Sequence, residues 1–401
     1  MTILLILTAL LLTWLMVKLA PTTGFKRPAR WRREPILAGR KPQPRTVLVT
    51  GATGFIGKYL CRHFIEEGDD LWILTRDHAR AWDLYGPHAR IYTSLEHIRS
   101  SDRIDVIINL AGAPIFARRW TATRRRVLSE SRLQITEALV DLVARLHIKP
   151  QVFINASAVG YYGARDDEEL TEADRGRPVF QSQLCQTWEL AAQRAGNYAV
   201  RVCRLRLGLV LGRQGGALTR FAVAARLRLR TVLGSGGQWI SWIHVDDVVR
   251  LVEHCIEHRD MCGPVNATAP VAVTQRDFAH ALSACFGNSL QVTVPASVLR
   301  ALLGEMAELL VDGQRVVPLQ ARCAGFEFRY HRIDTALADL IRSPSADSAS
   351  SLQPAEILYD ALCPVCDAEM TSYCRIARRS GLREPLIYPR RPCDECRTVQ
   401  G

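Results

Sequence analysis

Gly51, Gly54 and Gly57, set in Thr46–Leu60 (TVLVTGATGFIGKYL), have the types and spacing to hold an anion. Thr46–Val49 reads as a buried strand. Gly51 suits the tight turn after it, Gly54 lets the backbone come close to a bound group, and Gly57 lets a helix starting near Phe55 pack on the strand. The free N–H groups at that helix start make Gly51, Ala52, Thr53, Gly54, Phe55, Ile56 and Gly57 a candidate pyrophosphate cradle for a dinucleotide. The bland alternative is a strand–turn–helix that binds nothing. Arg76 stands at the end of the next apolar run, where a 2′-phosphate would lie, so NADP is expected, with NAD as the alternative. Asp77 competes, either as the acid that takes a ribose hydroxyl or as a helix cap. Arg118, Arg119, Arg124, Arg125 and Arg126 surround Trp120; they read as a solvated helix face or as a clamp for an anionic ligand.

The elements that must position these residues alternate. Leu71–Thr75, Asp105–Leu110, Val152–Ala156 and Ala199–Val210 read as strands, and Arg124–Arg145 and Thr187–Arg194 as helices between them. That order predicts an α/β fold, a doubly wound parallel sheet of Rossmann type with ligands at the carboxyl ends of the strands. Asp166–Asp174 reads as an acidic surface loop. An apolar fraction of 48% and a charged fraction of 23% describe a globular chain. The net charge of +12 is concentrated in residues 21–45, where eight basic side chains accompany only Glu34. The body is mildly basic, which argues against nucleic acid as a partner.

Four early blocks, Thr50–Gly57, Asn109–Ile115 (NLAGAPI), Arg119–Trp120 with Ser131–Arg132, and Ala156–Gly163 (ASAVGYYG), precede four later ones. These are Arg206–Gly216, Gly236–Asp247, Gly263–Pro270 and Leu303–Val316. Together they resemble the epimerase-like family of atypical extended short-chain dehydrogenases/reductases over about residues 45–340. The resemblance implies a Rossmann domain, a small C-terminal α+β subdomain, a small-molecule substrate and a cofactor held by the glycine loop, Arg76, Ala111 and Gly112. It also exposes a gap. Well-studied members of that superfamily use a Tyr-x-x-x-Lys pair, in which the lysine lowers the tyrosine pKa and holds the ribose. Here no lysine follows Lys149, and Gln181 and Cys185 stand where the pair should be. Ser157 and Tyr161 (or Tyr162) are the candidate polarising and proton-donating groups. His244 is either a titrating group or a structural histidine at a helix start.

The two ends carry separate expectations. Residues 1–20 hold one charge, Lys18, and are long enough to span a bilayer, with Trp14 near the headgroups. The basic stretch behind them predicts an uncleaved, single-pass inner-membrane anchor with the body facing the cytoplasm. Seven cysteines before the tail lack paired spacing and read as reduced thiols. After a linker at 342–354, Ile357–Met370 reads as a strand running into Cys363 and Cys366 at a helix start. Asp360, Cys363 and Cys366 resemble the thiol–disulfide oxidoreductase family named for an Asp-Cys-Cys pattern, which would make the two cysteines redox groups. A zinc site shared with Cys393 and Cys396, or an inactive remnant, are the other readings of 355–401. The expected organisation is thus 1–20 anchor, 21–44 basic linker, 45–265 dinucleotide-binding domain, 266–341 subdomain, 342–354 linker and 355–401 thioredoxin-like remnant.

Overall fold

Strand β1 (Thr46–Thr50) occupies the position the sequence assigns it, buried on both faces directly ahead of the glycine loop. In this computed structural model, residues 44–341 are described, except 214 and 288, together with the short segments 358–362 and 369–373. Six further strands join β1 in one sheet: β2 (Asp70–Leu74), β3 (Ala89–Tyr92), β4 (Val106–Asn109), β5 (Val152–Ala158), β6 (Arg201–Leu207) and β7 (Gly263–Ala267). Their order is β7-β6-β5-β4-β1-β2-β3, and every neighbouring pair is parallel. The order reverses between β1 and β4, which opens a crevice at the carboxyl ends of those two strands.

Helices cover both faces. On one side α1 (Phe55–Glu66) and α5 (Val245–Glu257) lie over Val47 and Val49, with Leu60, Phe64, Val248 and Val252 in the same core. On the other side α3 (Ala122–Arg145) and α4 (Phe180–Gln193) approach, and Leu48 packs with Leu139, Val143 and Phe153. The period-two alternation of β1 therefore feeds two separate cores. Each fully buried aliphatic contributes about 1.5–3 kcal/mol. Between β2 and β3 runs the short helix α2 (His78–Tyr85).

Several elements differ from the sequence reading for identifiable reasons. The apolar run 199–210 splits at Gly208 because the chain leaves the main sheet there; Leu209–Gly212 pairs with Trp242–His244 in a smaller sheet. Helix α4 begins seven residues earlier than expected, under a polar start (Phe-Gln-Ser-Gln) with no side-chain cap. Strand β7 opens with Gly-Pro, a turn signal, yet it lies at the sheet edge, where proline is tolerated. The acidic stretch 166–174 is not simply a loop: Glu169–Leu170 pairs with Arg315–Val316, and Glu172 Oε1 accepts from the Asn266 and Gln320 amides.

The smaller layer is built from two stretches of chain. Leu229–Leu233 pairs with Leu290–Val294, and Trp239–Ile240 with Val273–Thr274. Buried Asp247 of α5 holds the later segment by accepting from the Arg329 and Tyr330 amides at 2.9 Å.

Residues 1–20 lie outside the described residues, and among the described residues no helix is long and apolar enough to cross a membrane. The inner-membrane, single-pass placement is accordingly corrected and withdrawn. In the second compact unit, Leu358–Leu362 forms the expected strand. It pairs antiparallel with Glu369–Tyr373, a strand where a helix was expected. Cys363, Cys366, Cys393 and Cys396 lie outside the described residues. The seven cysteines described are all free thiols, with Cys61, Cys185, Cys203 and Cys255 buried.

A Cβ on Gly57 would stand 2.3 Å from the Gly51 carbonyl oxygen, a backbone atom that cannot swing aside. Gly57→Ala is therefore expected to lower the unfolding free energy by about 1–3 kcal/mol, read as a lower urea midpoint at unchanged m-value.

Candidate functional site

At the crevice, Gly51 adopts φ +71°, and a Cβ there would meet the Leu110 carbonyl group at 2.7 Å. The first loop thus lies directly against the residues that follow β4. Gly54 is the N-cap of α1 and offers no side-chain acceptor, and the first turn of that helix contains no acid. Beyond Gly51 O at 3.0 Å, nothing stands within 4 Å of a Cβ on Gly54. The helix start is consequently open on that side, with its first N–H groups available to an anion. Ala52 is buried, and its carbonyl accepts from the Tyr85 hydroxyl at 2.6 Å, which fixes the turn; Thr53 is half-buried beside it. Phe55 and Ile56 offer the cradle only their backbone, since their side chains pack on the core. The Phe55 ring is seated on glycines: a Cβ on Gly212, Gly215 or Gly216 would fall within 2.9 Å of it. That seat explains the glycines of the block ending at Gly216, whose purpose the sequence does not reveal.

The end of β2 is basic. Arg76 is exposed with no carboxylate partner among the described residues. Asp77 is not available to a ribose, because its side chain accepts from the Arg80 amide at 3.0 Å and caps α2. Burial first, and then the charge of Arg80, pull the Lys58 ammonium below its ordinary range. Lys58 and Arg80 are therefore close enough to repel one another.

A buried polar chain supports the floor of the crevice. Thr50 donates to Asn109 at 2.6 Å, Asn109 donates to Thr136 and Asn155 at 2.8 and 2.7 Å, and the Trp188 indole donates to Thr136 at 2.9 Å. These bonds tie the ends of β1, β4 and β5 to α3 and α4. The Ala111 amide reaches Thr50 Oγ1 at 3.3 Å, and Gly112 lies against the Arg132 guanidinium. Of the arginines around Trp120, Arg125 pairs with Glu305 and Arg126 with Glu130, whereas Arg118 and Arg119 are exposed. Trp120 itself is buried against Leu184, Leu299 and Leu303 and anchors the smaller layer over α4.

Ser157 and Tyr161 flank a second buried network. Ser157 is 3% exposed and donates to Glu189 Oε1 at 2.7 Å. Arg206 meets both Glu189 oxygens at 2.9 and 3.0 Å, and donates to the Tyr162 hydroxyl, which in turn donates to Asn266. Burial works against the Arg206 charge, but Glu189 more than offsets it, and the guanidinium ends above its ordinary range. Burial pushes the Tyr162 phenol up to about 12. Half-buried Tyr161 lays its ring over Arg206 at 3.4 Å and is the tyrosine left nearer solvent. The Ser157 proton is thus committed to Glu189. Gln181 and Cys185 lie on α4, both buried, with the thiol pushed up to about 11 by burial and by Glu189. Glu308, which the sequence did not single out, comes within hydrogen-bonding reach of Gln181; burial and Asp312 raise its carboxyl above the usual range.

His244 is structural. It is buried, its Nδ1 accepts from the Asp246 amide at 3.1 Å as the N-cap of α5, and its ring stacks on Tyr330 at 3.8 Å. Burial holds its pKa below the ordinary value, against the pull of Asp246 and Asp339. No group of histidines, cysteines and acids that could hold a metal occurs among the described residues.

Residues 47–266 match the NAD dependent epimerase/dehydratase family, and residues 294–340 match a domain of unknown function (DUF1731). An epimerase family protein of Staphylococcus epidermidis is 36% identical over 301 residues, which covers 74% of this chain and 99% of the relative. The chloroplastic SDR39U1 homolog of Arabidopsis thaliana is 33% identical over 325 residues, 80% of this chain and 93% of its own. Human SDR39U1 (isoform 2), solved with NADPH, superposes with a TM-score of 0.68 at 30% identity, covering 74% of this chain and 99% of that one. A nucleoside-diphosphate sugar epimerase of Corynebacterium glutamicum gives 0.60 at 29% identity, covering 75% of this chain and 58% of that one.

Glu189→Gln leaves buried Arg206 without a countercharge and is expected to cost about 3 kcal/mol in urea unfolding. A loss below about 1 kcal/mol would contradict the pairing. For His244 the folded pKa is lowered, so its contribution to stability is complete above the unfolded value of 6.5 and declines as pH falls below it. His244→Asn, which keeps a capping side chain, should flatten the stability profile between about pH 6.5 and 5 relative to the parent.

Proposed function

The chain belongs to the NAD dependent epimerase/dehydratase family, and from that premise we propose that it is an NADP-dependent oxidoreductase or nucleotide-sugar-epimerase-like enzyme acting on a small molecule. The observation that carries the reading is the open start of α1, presented by Gly51, Gly54 and Gly57 at the point where the strand order reverses. The residues fit a dinucleotide. The loop leaves free the side on which a Cβ at Gly54 would project, and its amides would take the pyrophosphate. Bound there, NADP supplies a hydride acceptor or NADPH a donor at its nicotinamide carbon.

The choice of NADP over NAD rests on the end of β2. Arg76, Arg80 and Lys58 bring three cations there, and Asp77 is occupied as a cap. A 2′-phosphate would relieve the repulsion between Lys58 and Arg80 and pair with the exposed guanidinium of Arg76. Ala111 and Gly112, fixed by Thr50 and Arg132, would line the crevice beside the adenosine-to-nicotinamide bridge. The nucleotide-sugar substrate class is suggested by the Corynebacterium relative.

For proton transfer, Tyr161 is the phenol nearer solvent, and its ring lies against the Arg206 guanidinium. Ser157 would polarise a carbonyl only if its hydroxyl left Glu189. That commitment favours one second reading, an NADP-binding protein without turnover that acts as a regulator or scaffold. NADPH oxidation by carbonyl compounds, or conversion of a nucleotide sugar into its epimer with the nicotinamide regenerated, supports the enzyme; tight NADPH binding with neither reaction supports the regulator.

NADPH should bind the purified chain more tightly than NADH by fluorescence titration. Arg76→Ala should weaken NADPH about tenfold and leave NADH within twofold. Equal affinities for the two nucleotides in the parent protein would sink the NADP assignment.

A further inference from the structure

Arg132 on α3 is a cation placed between the ends of β4 and β5. Its Nη1 donates to the Leu128 carbonyl at 2.9 Å, one turn earlier in its own helix, and its Nη2 to the Ala113 carbonyl at 3.2 Å in the loop after β4. Its guanidinium stands over the Trp188 ring at 5.2 Å and 3.0 Å from where a Cβ on Gly112 would lie. Its titratable neighbours are the Cys185 thiol on α4, kept neutral by burial, and Arg124 on its own helix; no carboxylate among the described residues reaches it. Cys185 in turn adjoins Ser157 and Ala158 at the end of β5. Burial, with a smaller contribution from Arg124, holds the guanidinium below its ordinary range. Two carbonyls engage two of the five N–H donors that a guanidinium carries. A half-buried cation with no countercharge is costly unless a ligand supplies oxygens.

We propose that Arg132 binds the ribose–phosphate oxygens of the nicotinamide half of the cofactor, donating from the space beside Cys185 where this chain has no lysine. The proposal rests on the NADP reading given above. It makes Arg132 a binding and positioning residue for the nicotinamide half, while Arg76 serves the adenosine half. The two halves then depend on different cations, and that separation can be measured.

NADPH and 2′,5′-ADP, which carries the adenosine half alone, are titrated into the purified full chain and into Arg132→Met and Arg132→Lys. Arg132→Met should weaken NADPH about tenfold or more while leaving 2′,5′-ADP within twofold, whatever the urea midpoint. Arg132→Lys should recover part of the NADPH affinity. Unaltered NADPH affinity in Arg132→Met overturns the role of Arg132 and leaves the NADP reading standing. Parallel loss of both ligands with a lowered urea midpoint shows that Arg132 merely ties the loop to the helix, which also overturns it. If the parent chain binds neither ligand, the NADP reading fails first and this inference with it.

Discussion

The crevice depends on one close approach: the turn at Gly51 lies so near the Leu110 carbonyl that no side chain fits between them. That contact draws the loop after β1 against the loop after β4 and leaves the start of α1 facing the gap between the two strands. The same turn accepts Gly57 from below, so a single backbone segment is pinned from two sides without a side chain of its own. Residues with a Cβ at either position would separate the loops by roughly the width of a methyl group. The anion-binding end of the helix would then no longer stand over the sheet.

Beneath the loops, the sheet ends are held by polar groups. A parallel sheet whose strands are buried on both faces is apolar along most of its length, but its carboxyl ends must meet water or a ligand. Thr50, Asn109, Asn155 and Thr136 satisfy one another there, and Ser157, Glu189, Arg206 and Tyr162 do the same one strand further on. Each network is closed by side chains from the flanking helices. The positions of α3 and α4 are thereby linked to the geometry of the crevice: a shift of either helix would leave buried polar groups unpaired. The buried carboxylate of Glu189 also takes the hydrogen bond of the Ser157 hydroxyl.

The sequence made the glycine turn ahead of α1 and most of the main sheet legible because both are local. The loop is read from glycine spacing, and strands buried on two faces are read from short β-branched runs bounded by turn residues. What it concealed depends on partners distant in the chain. Gly-Pro at the start of β7 signals a turn until the strand is known to lie at an edge. The polar start of α4 hides a helix whose first turn packs on Trp120 and the segment around Leu303. Asp77 offered two roles with the same residue, and only the Arg80 amide decides between them. Glu308 could not be singled out at all, since nothing near it in sequence indicates that it meets Gln181 from another layer. The apolar N-terminal run lies outside the described residues. Composition alone supported a membrane anchor there, while among the described residues no helix meets the length and apolarity that crossing a membrane requires.

Arginine usage in this chain has a consequence for its site. With 52 basic residues and lysines only at 18, 26, 41, 58 and 149, any permanent positive side-chain charge beyond residue 149 must come from a guanidinium. The two cations differ on burial. An ammonium placed in an apolar gap readily releases its proton, as the downward shift of half-buried Lys58 already shows in direction, whereas a guanidinium stays charged even when its pKa is lowered from 12.5. A guanidinium can also lie over an indole while its N–H groups bond elsewhere, as Arg132 does over Trp188 with the Leu128 and Ala113 carbonyls. The Arg132 guanidinium on α3 is therefore a permanent positive charge beside Cys185 on α4. The Cys185 thiol and the Tyr162 phenol, by contrast, are both driven upward by burial and stay protonated near neutrality. The permanent charge of Arg132 thus lies on α3, and the neutral Cys185 thiol beside it on α4.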